Sequence, residues 1–240
     1  MALPAVGIVP GRGSGRVRFC DDPLVGVAGH GTHEDVLAVP ALWWPPSEPL
    51  PTEARAVVLH GLPQGPAGDV TVPVIGGIDR DVLREGESVI VDGREGTLTI
   101  AGVEEVPVVT AFLERSDGAI LLLERSEKVG SFRGRWAGVS GFLEDPTPLD
   151  QVYREIREET GLKASDLLLA AAGPPALARD GMRVFVIYPF RFRAERTEVR
   201  LDWEHTRAEW VAPVEIRRRP TVPKLDLVWE SVAPRPEPKA

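Results

Sequence analysis

Residues 147–162 read Thr-Pro-Leu-Asp-Gln-Val-Tyr-Arg-Glu-Ile-Arg-Glu-Glu-Thr-Gly-Leu, and no other stretch of this 240-residue chain confines its own conformation so tightly. Thr147 suits a helix N-cap, Pro148 suits the first turn, and Gly161 supplies a left-handed residue to end the helix. A helix is therefore expected over 148–160. Leu149, Val152 and Ile156 recur at three- and four-residue spacing and predict a narrow buried stripe. On the other face Glu155, Glu158 and Glu159 fall at i, i+3 and i+4, within one turn. Like charges that close repel, so the arrangement costs stability unless a cation neutralises it. Arg154, four residues before Glu158, is placed to pair with it, which leaves Glu155 and Glu159 uncompensated by their own helix. A hard divalent cation, Mg²⁺ or Mn²⁺, takes oxygen ligands and bridges carboxylates to phosphates. The bland alternative is a solvated acidic face.

The rest of the chain changes character near residue 104. Before it, short apolar runs at 56–60, 70–75 and 89–91 read as strands. Asp92-Gly93, between 88–91 and 96–100, is a hairpin signal. The stretch 41–51 holds Trp43, Trp44 and four prolines and reads as a loop. This part is mostly β. After it, apolar runs at 108–112 and 119–123 flank Ser116-Asp117-Gly118, a second hairpin. A Gly- and Arg-rich loop at 128–135 leads to the helix. A long strand is expected at 184–192, a short element starting at Trp210-Val211, a closing helix at 225–232 and a frayed tail at 234–240. The fold class is α+β, with domains at 1–104 and 105–232 and a flexible tail at 233–240.

Composition narrows the function classes. A chain 43% hydrophobic and 27% charged is globular rather than disordered. No run approaches the roughly 20 apolar residues of a membrane span, and the N-terminus does not read as a signal peptide. Cys20 is the single cysteine, which excludes an internal disulfide and any multi-cysteine metal site. A cytoplasmic protein is the expectation. The net charge of −8 argues against general nucleic-acid binding. Residues 1–104 hold 7 basic and 14 acidic side chains, against 21 and 22 in the remainder.

The string Arg154-Glu155-Ile156-Arg157-Glu158-Glu159-Thr160-Gly161-Leu162 resembles the second half of the signature of the Nudix hydrolases at every fixed position. The first half departs from it. Counting back from Arg154 puts Ser140 where the family has Gly and Pro146 where it has an early Glu; one deleted residue aligns Gly141 with that Gly and places Glu144 nearby. Flanking strings agree: residues 134–141 resemble the aromatic-then-glycine approach to the signature, 121–125 the strand before it, and Glu209-Trp210-Val211 the late Glu-Trp element.

The resemblance, over about residues 105–232, implies an α/β/α sandwich. It also implies a Mg²⁺- or Mn²⁺-dependent pyrophosphatase that cleaves a diphosphate linkage in a nucleoside diphosphate derivative or related small metabolite. Metal would be held by Glu155, Glu158 and Glu159 beside Gly141, with Glu158 and Glu159 catalytic and Arg154 orienting the carboxylates. Glu204 is the candidate general base and Glu209 the second choice. Arg133 and Arg135 are candidate phosphate contacts, with Arg183 and Lys128 behind them. Trp136 and Trp203 read as core packing rather than base-stacking platforms, and His205 as structural or solvated. Family members commonly dimerise, and an exposed Trp43-Trp44 segment could contribute to a homodimer; no membrane or nucleic-acid partner is expected. The competing function is a non-catalytic Nudix ligand sensor. An isopentenyl diphosphate isomerase relative would need a catalytic Cys in the core domain, and Cys20 lies outside it.

In the N-terminal part, residues 83–98, Gly76-Gly77-Ile78, Gly13-Ser14-Gly15-Arg16-Val17 and Asp21-Asp22-Pro23-Leu24 resemble swivelling β/β/α domains: the small domain of aconitase X-type dehydratases and the phosphohistidine domains. The functional residues do not transfer. His30, in Gly29-His30-Gly31-Thr32-His33, has the wrong neighbours for a phosphohistidine, and the Gly-Ser-Ser-type loop of aconitase X is missing. His30 and His33 read as structural, and Gly11-Arg12-Gly13-Ser14-Gly15 as a tight turn in preference to a phosphate cradle. The domain is expected to be a scaffold, a lid or a dimerisation surface.

Overall fold

The computed structural model describes residues 2–20, 35–44, 54–66 and 69–234. The chain divides into two compact units: residues 1–105 with 179–184, and 106–178 with 185–240. Asp21-Asp22-Pro23-Leu24, His30, His33 and residues 235–240 of the tail lie outside the described residues.

The first unit is built on one mixed sheet. Its strands are β1 (Leu3–Pro4), β2 (Val6–Val9), β3 (Arg12–Phe19), β4 (Asp35–Pro40), β5 (Ala54–His60), β6 (Val74–Gly76), β7 (Ser88–Asp92) and β8 (Thr97–Ile100). They lie in the order β1-β8-β7-β3-β4-β5-β6-β2. Strands β3 to β6 run parallel, and the outer pairs are antiparallel. Leu37, Val57, Leu59 and Val74 form the core with Trp44. Trp44 is only 6% exposed, which corrects the expectation of an exposed Trp pair. Of the segment expected to be a tight Gly-rich turn at 11–15, Gly11 lies at a bend and residues 12–15 are instead the start of β3, which pairing with β7 extends. The hairpin at Asp92 forms as expected, with a four-residue connection in which Asp92 Oδ1 accepts from the amides of Arg94 and Glu95. The described residues of this unit contain no α-helix.

The second sheet comprises β9 (Glu104–Glu114), β10 (Ile120–Arg125), β11 (Trp136–Ala137), β12 (Val139–Phe142), β13 (Leu167–Ala172), β14 (Ala176–Asp180), β15 (Arg183–Ala194) and β16 (His205–Val211). Its main path is β11-β10-β9-β15-β13; β12 pairs with β9, β14 with β15 and β16 with β10. Trp210-Val211 therefore ends a strand that begins at His205, where a short element starting at Trp210 was expected. Helix α1 (Pro148–Thr160) and helix α2 (Leu225–Val232) complete the unit.

Alternation along the strands makes this a three-layer fold. Val109, Ala111 and Leu113 of β9, with Leu121 and Leu123 of β10, pack in one cluster with Val152 and Ile156 of α1. Phe112, Ile120 and Leu122, one residue out of phase, pack in another with Val228 and Trp229 of α2. The fold class is α+β, as expected. Full burial of Val152 and Ile156 stabilises by about 1.5–3 kcal/mol each. Leu149, expected in the buried stripe, is instead 37% exposed, and Gln151 is fully buried.

Candidate active site

Helix α1 carries both of its expected caps. The Thr147 side chain accepts from the Asp150 amide, and Gly161, at φ 74°, closes the C-terminus with its N–H on the Arg157 carbonyl. Between these caps the three glutamates meet different surroundings: Glu158 is exposed, Glu155 half-buried and Glu159 buried at 2% exposure.

Strand β12 sets this gradient. It pairs with β9, Gly141 opposite Val109, and α1 packs against it. A Cβ on Gly141 would lie 2.1 Å from both Cδ and Oε1 of Glu155, so glycine there makes room for that carboxylate. One residue earlier, the Ser140 amide donates to Glu159 Oε1 at 3.4 Å. Burial pushes the Glu155 carboxyl above its ordinary range, and the Glu158 charge adds to this. Glu159 is pushed well up, first by burial and then by the Glu155 charge.

Gln151, which the sequence reading passed over, ties the helix to the preceding loop. Its Oε1 accepts from the amides of Glu144 and Asp145 at 2.8 and 2.9 Å, and its Nε2 donates to Glu155 Oε1 at 2.5 Å. Arg154 departs from the expected pairing with Glu158. Its Nη2 donates to Glu144 and to Gln151 Oε1, and its Nε lies 3.1 Å from Asp145. It thus reaches Glu155 through Gln151, one turn earlier than spacing alone implies.

The second wall comes from the segment before β16. Pairing of β10 with β16 sets His205 opposite Arg125, and the Ser126 amide donates to the Glu204 carbonyl at 2.7 Å. Glu204 then feels the α1 charges: burial raises its carboxyl first, followed by Asp202, with Arg125 opposing and Glu158 assisting. Asp202 accepts from the Glu204 amide and lies 3.2 Å from His205 Nδ1. His205 is buried, its Nε2 3.8 Å from Glu159 Oε2; burial lowers its pKa, with the Asp202 hydrogen bond opposing. The structure therefore gathers Glu155, Glu158, Glu159, Asp202 and Glu204 into one electrostatic neighbourhood, with Arg154 acting on Glu155 and Arg125 on Glu204. Asp202 and Arg125 were missed; the Asp-x-x-His spacing of Asp202 and His205 was the signal available for the first.

The other candidates lie elsewhere. Glu209 is held by Arg219 and Arg207 at 2.7 and 2.5 Å, and the Arg219 hydrogen bond leads in pulling its pKa down, which is unsuited to a base. Arg133 is exposed, with Nε on the Val129 carbonyl at 2.9 Å. Arg135 and Lys128 are exposed in the same loop. Arg183 pairs with Glu104 in the first unit. Trp136 is core as expected, with Arg219 over its ring at 4.6 Å, but Trp203 is 60% exposed, which corrects its core assignment.

A divalent cation suits the donor set. Glu159 Oε2 is buried without a hydrogen-bond partner among the described residues, and neighbouring carboxylates raise rather than relieve its cost. Carboxylate oxygens are the ligands hard cations prefer. Among the described residues no three His, Cys, Asp or Glu side chains stand ready-gathered at ligand spacing.

The second unit is thus an α/β/α sandwich whose acidic helix faces the field of further carboxylates from the segment before β16. The chain belongs to the NUDIX family: residues 104–228, more than half of it, match the NUDIX domain. Similar solved structures include the MutT protein from Methanosarcina mazei Go1, 23% identical over 53% of this chain and 92% of that one, with a TM-score of 0.46. An Ap4A hydrolase from C. elegans, in a binary complex, is 15% identical over 54% and 94%, with a TM-score of 0.44. The NUDIX domain of Shewanella oneidensis NrtR, complexed with ADP ribose, is 19% identical over 53% and 85%, with a TM-score of 0.42.

Proposed function

We propose that the protein is a Nudix hydrolase that cleaves a diphosphate linkage in a nucleoside diphosphate derivative or a related small metabolite. One observation carries this reading: Glu159 holds a buried carboxylate oxygen that accepts no hydrogen bond among the described residues, 3.8 Å from His205 Nε2 and within the field of Glu155, Asp202 and Glu204. Such a group destabilises the fold, so its use lies in binding. Glu155, Glu158 and Glu159 would hold Mg²⁺ or Mn²⁺, which when bound supplies neutralisation of phosphate oxygens and a more acidic water. Glu204, raised by burial and by its acidic neighbours, is suited to accept the proton of the attacking water. The water oxygen bonds to phosphorus, the bridging P–O bond breaks, and the departing phosphate carries away its electron pair. Gly141 and Gln151 keep the Glu155 carboxylate in place. The reading treats residues 1–104 as a separate, swivelling β/β/α-like domain, in keeping with their own sheet and core, and the protein as cytoplasmic, acting on small molecules.

The sensor reading is favoured by Pro146, which stands where the signature has its early Glu. The experiment that decides is product-resolved phosphate release from nucleoside triphosphates, nucleotide sugars, dinucleoside polyphosphates, ADP-ribose and NADH, with Mg²⁺ or Mn²⁺. Turnover that disappears in Glu158→Gln/Glu159→Gln supports the enzyme. Ligand-induced thermal stabilisation without turnover of any substrate supports the sensor.

A further inference from the structure

We propose that the first unit carries its own binding site for a small phosphate- or diphosphate-bearing molecule, in a cleft of about 890 Å³ walled by Arg12, Arg16 and Arg55. The site lies wholly within that unit and does not depend on the hydrolase reading.

Strand β3 builds it. Side chains two apart share a face of a strand, so Arg12, Ser14, Arg16 and Arg18 point the same way. Across the ladder, Ser14 stands opposite Ile90 and Ile90 opposite Thr99, while Arg16 stands opposite Ser88. Ser14, Ser88 and Thr99 line the cleft with the arginines, and Thr71, Val72 and Pro73 form another part of its wall. Gly13, between the arginines, completes it. A Cβ there, on the opposite face from Arg12 and Arg16, would lie 2.1 Å from the Arg55 carbonyl oxygen, so only glycine lets the start of β5 lie against β3.

Charge identifies the occupant. Arg18 is neutralised by Asp35 at 3.4 Å and Glu85 at 3.1 Å. Arg12 and Arg16, on the same face, are exposed and take part in no ion pair among the described residues. The cleft's described lining contains no carboxylate. Asp92, opposite Arg12 on β7, commits Oδ1 to its own turn. Residues 1–104 have 7 basic side chains against 14 acidic ones, and two of the seven, Arg12 and Arg16, stand on this face. Guanidinium forks match phosphate oxygens bidentately, and the hydroxyls add further donors. The excess of acidic side chains in residues 1–104 repels a long polyanion, which favours a small one.

The test is calorimetric titration of full-length Glu158→Gln/Glu159→Gln protein with inorganic pyrophosphate in EDTA, which takes the α1 site out of play. Saturable binding is expected. It should weaken at least tenfold in Arg12→Gln/Arg16→Gln, checked for folding by circular dichroism, and stay within twofold in Arg84→Gln/Arg94→Gln, which removes the same charge outside the cleft. If the first double variant does not fold, Ser14→Asp, which sets a negative charge between the two arginines, should give the same loss. Absence of binding, or equal loss in both double variants, overturns the proposal. Citrate binding as tightly as pyrophosphate overturns its phosphate class. Arginine-dependent binding of a 20-nucleotide single strand far tighter than pyrophosphate overturns its small-molecule class.

Discussion

Helix α1 and strand β3 each gather like charges on one face, and they manage the repulsion in opposite ways. On α1 the carboxylates run from exposed Glu158 to buried Glu159, and their neighbours across the site, Asp202 and Glu204, add more negative charge. On β3 the guanidiniums of Arg12 and Arg16 are exposed, and among the described residues only Arg18 of the three has carboxylate partners. Water screens the strand's charges at little cost, whereas the helix holds one out of water. A carboxylate buried among other carboxylates, with one oxygen accepting no hydrogen bond, is the stronger sign of function, because burial penalises its charged form continuously.

The largest expected effect separates function from stability within α1. Glu159→Gln should lower kcat/KM by about a thousandfold, the scale of removing a principal transition-state interaction. In EDTA the same variant should melt at or above the wild-type temperature, since the neutral amide relieves a buried carboxylate. A fall in Tm with activity intact would break the comparison. A buried charge with its partner in place should behave oppositely. Arg191 is buried, forms an ion pair with Glu114 and donates Nε to the Val232 carbonyl at 2.8 Å. Arg191→Ala should cost about 3–5 kcal/mol in urea denaturation, by stranding Glu114.

Gly141→Ala comes next. The added methyl displaces the Glu155 carboxylate, and the expected loss is about tenfold in kcat with about 1–3 kcal/mol of stability. Activity losses matching Glu155→Gln in the same assay would sharpen the role of the glycine.

The smallest effect concerns an exposed pair. Arg115, through its hydrogen bond, leads in lowering Asp117 from 3.8 to about 2, and the Ala119 amide assists. The folded pKa lies below the unfolded one, so the pair's contribution is present above about pH 4 and is lost as pH falls through about 2. Acid titrations of wild type and Arg115→Gln should diverge slightly above that window and converge below it; equal stability at neutral pH would show that the pair adds nothing.

The same contrast explains how much the sequence disclosed. The α1 charges were legible because a helix capped by Thr147 and Gly161 fixes its own faces, so i, i+3 and i+4 can be read directly. The direction of Arg154 was not, since its partners Glu144 and Asp145 lie in a preceding loop whose path depends on Gln151. Glu204 was named from the sequence, but Asp202 and Arg125 join it only through the pairing of β10 with β16, a long-range register. On β3, the glycines at 11, 13 and 15 masked the strand as a turn. Once the strand is known, period two places Arg12, Arg16 and Arg18 together, while the packing of β5 against Gly13 is a long-range contact no local pattern encodes.

The most direct test of the central claim, that the buried end of α1 exists to bind a cation, is Mn²⁺ binding followed by electron paramagnetic resonance. It requires no substrate. The account predicts saturable binding in the wild type and at least tenfold weaker binding in Glu159→Gln, with Glu209→Gln unchanged. Equal Mn²⁺ affinity in wild type and Glu159→Gln would contradict it.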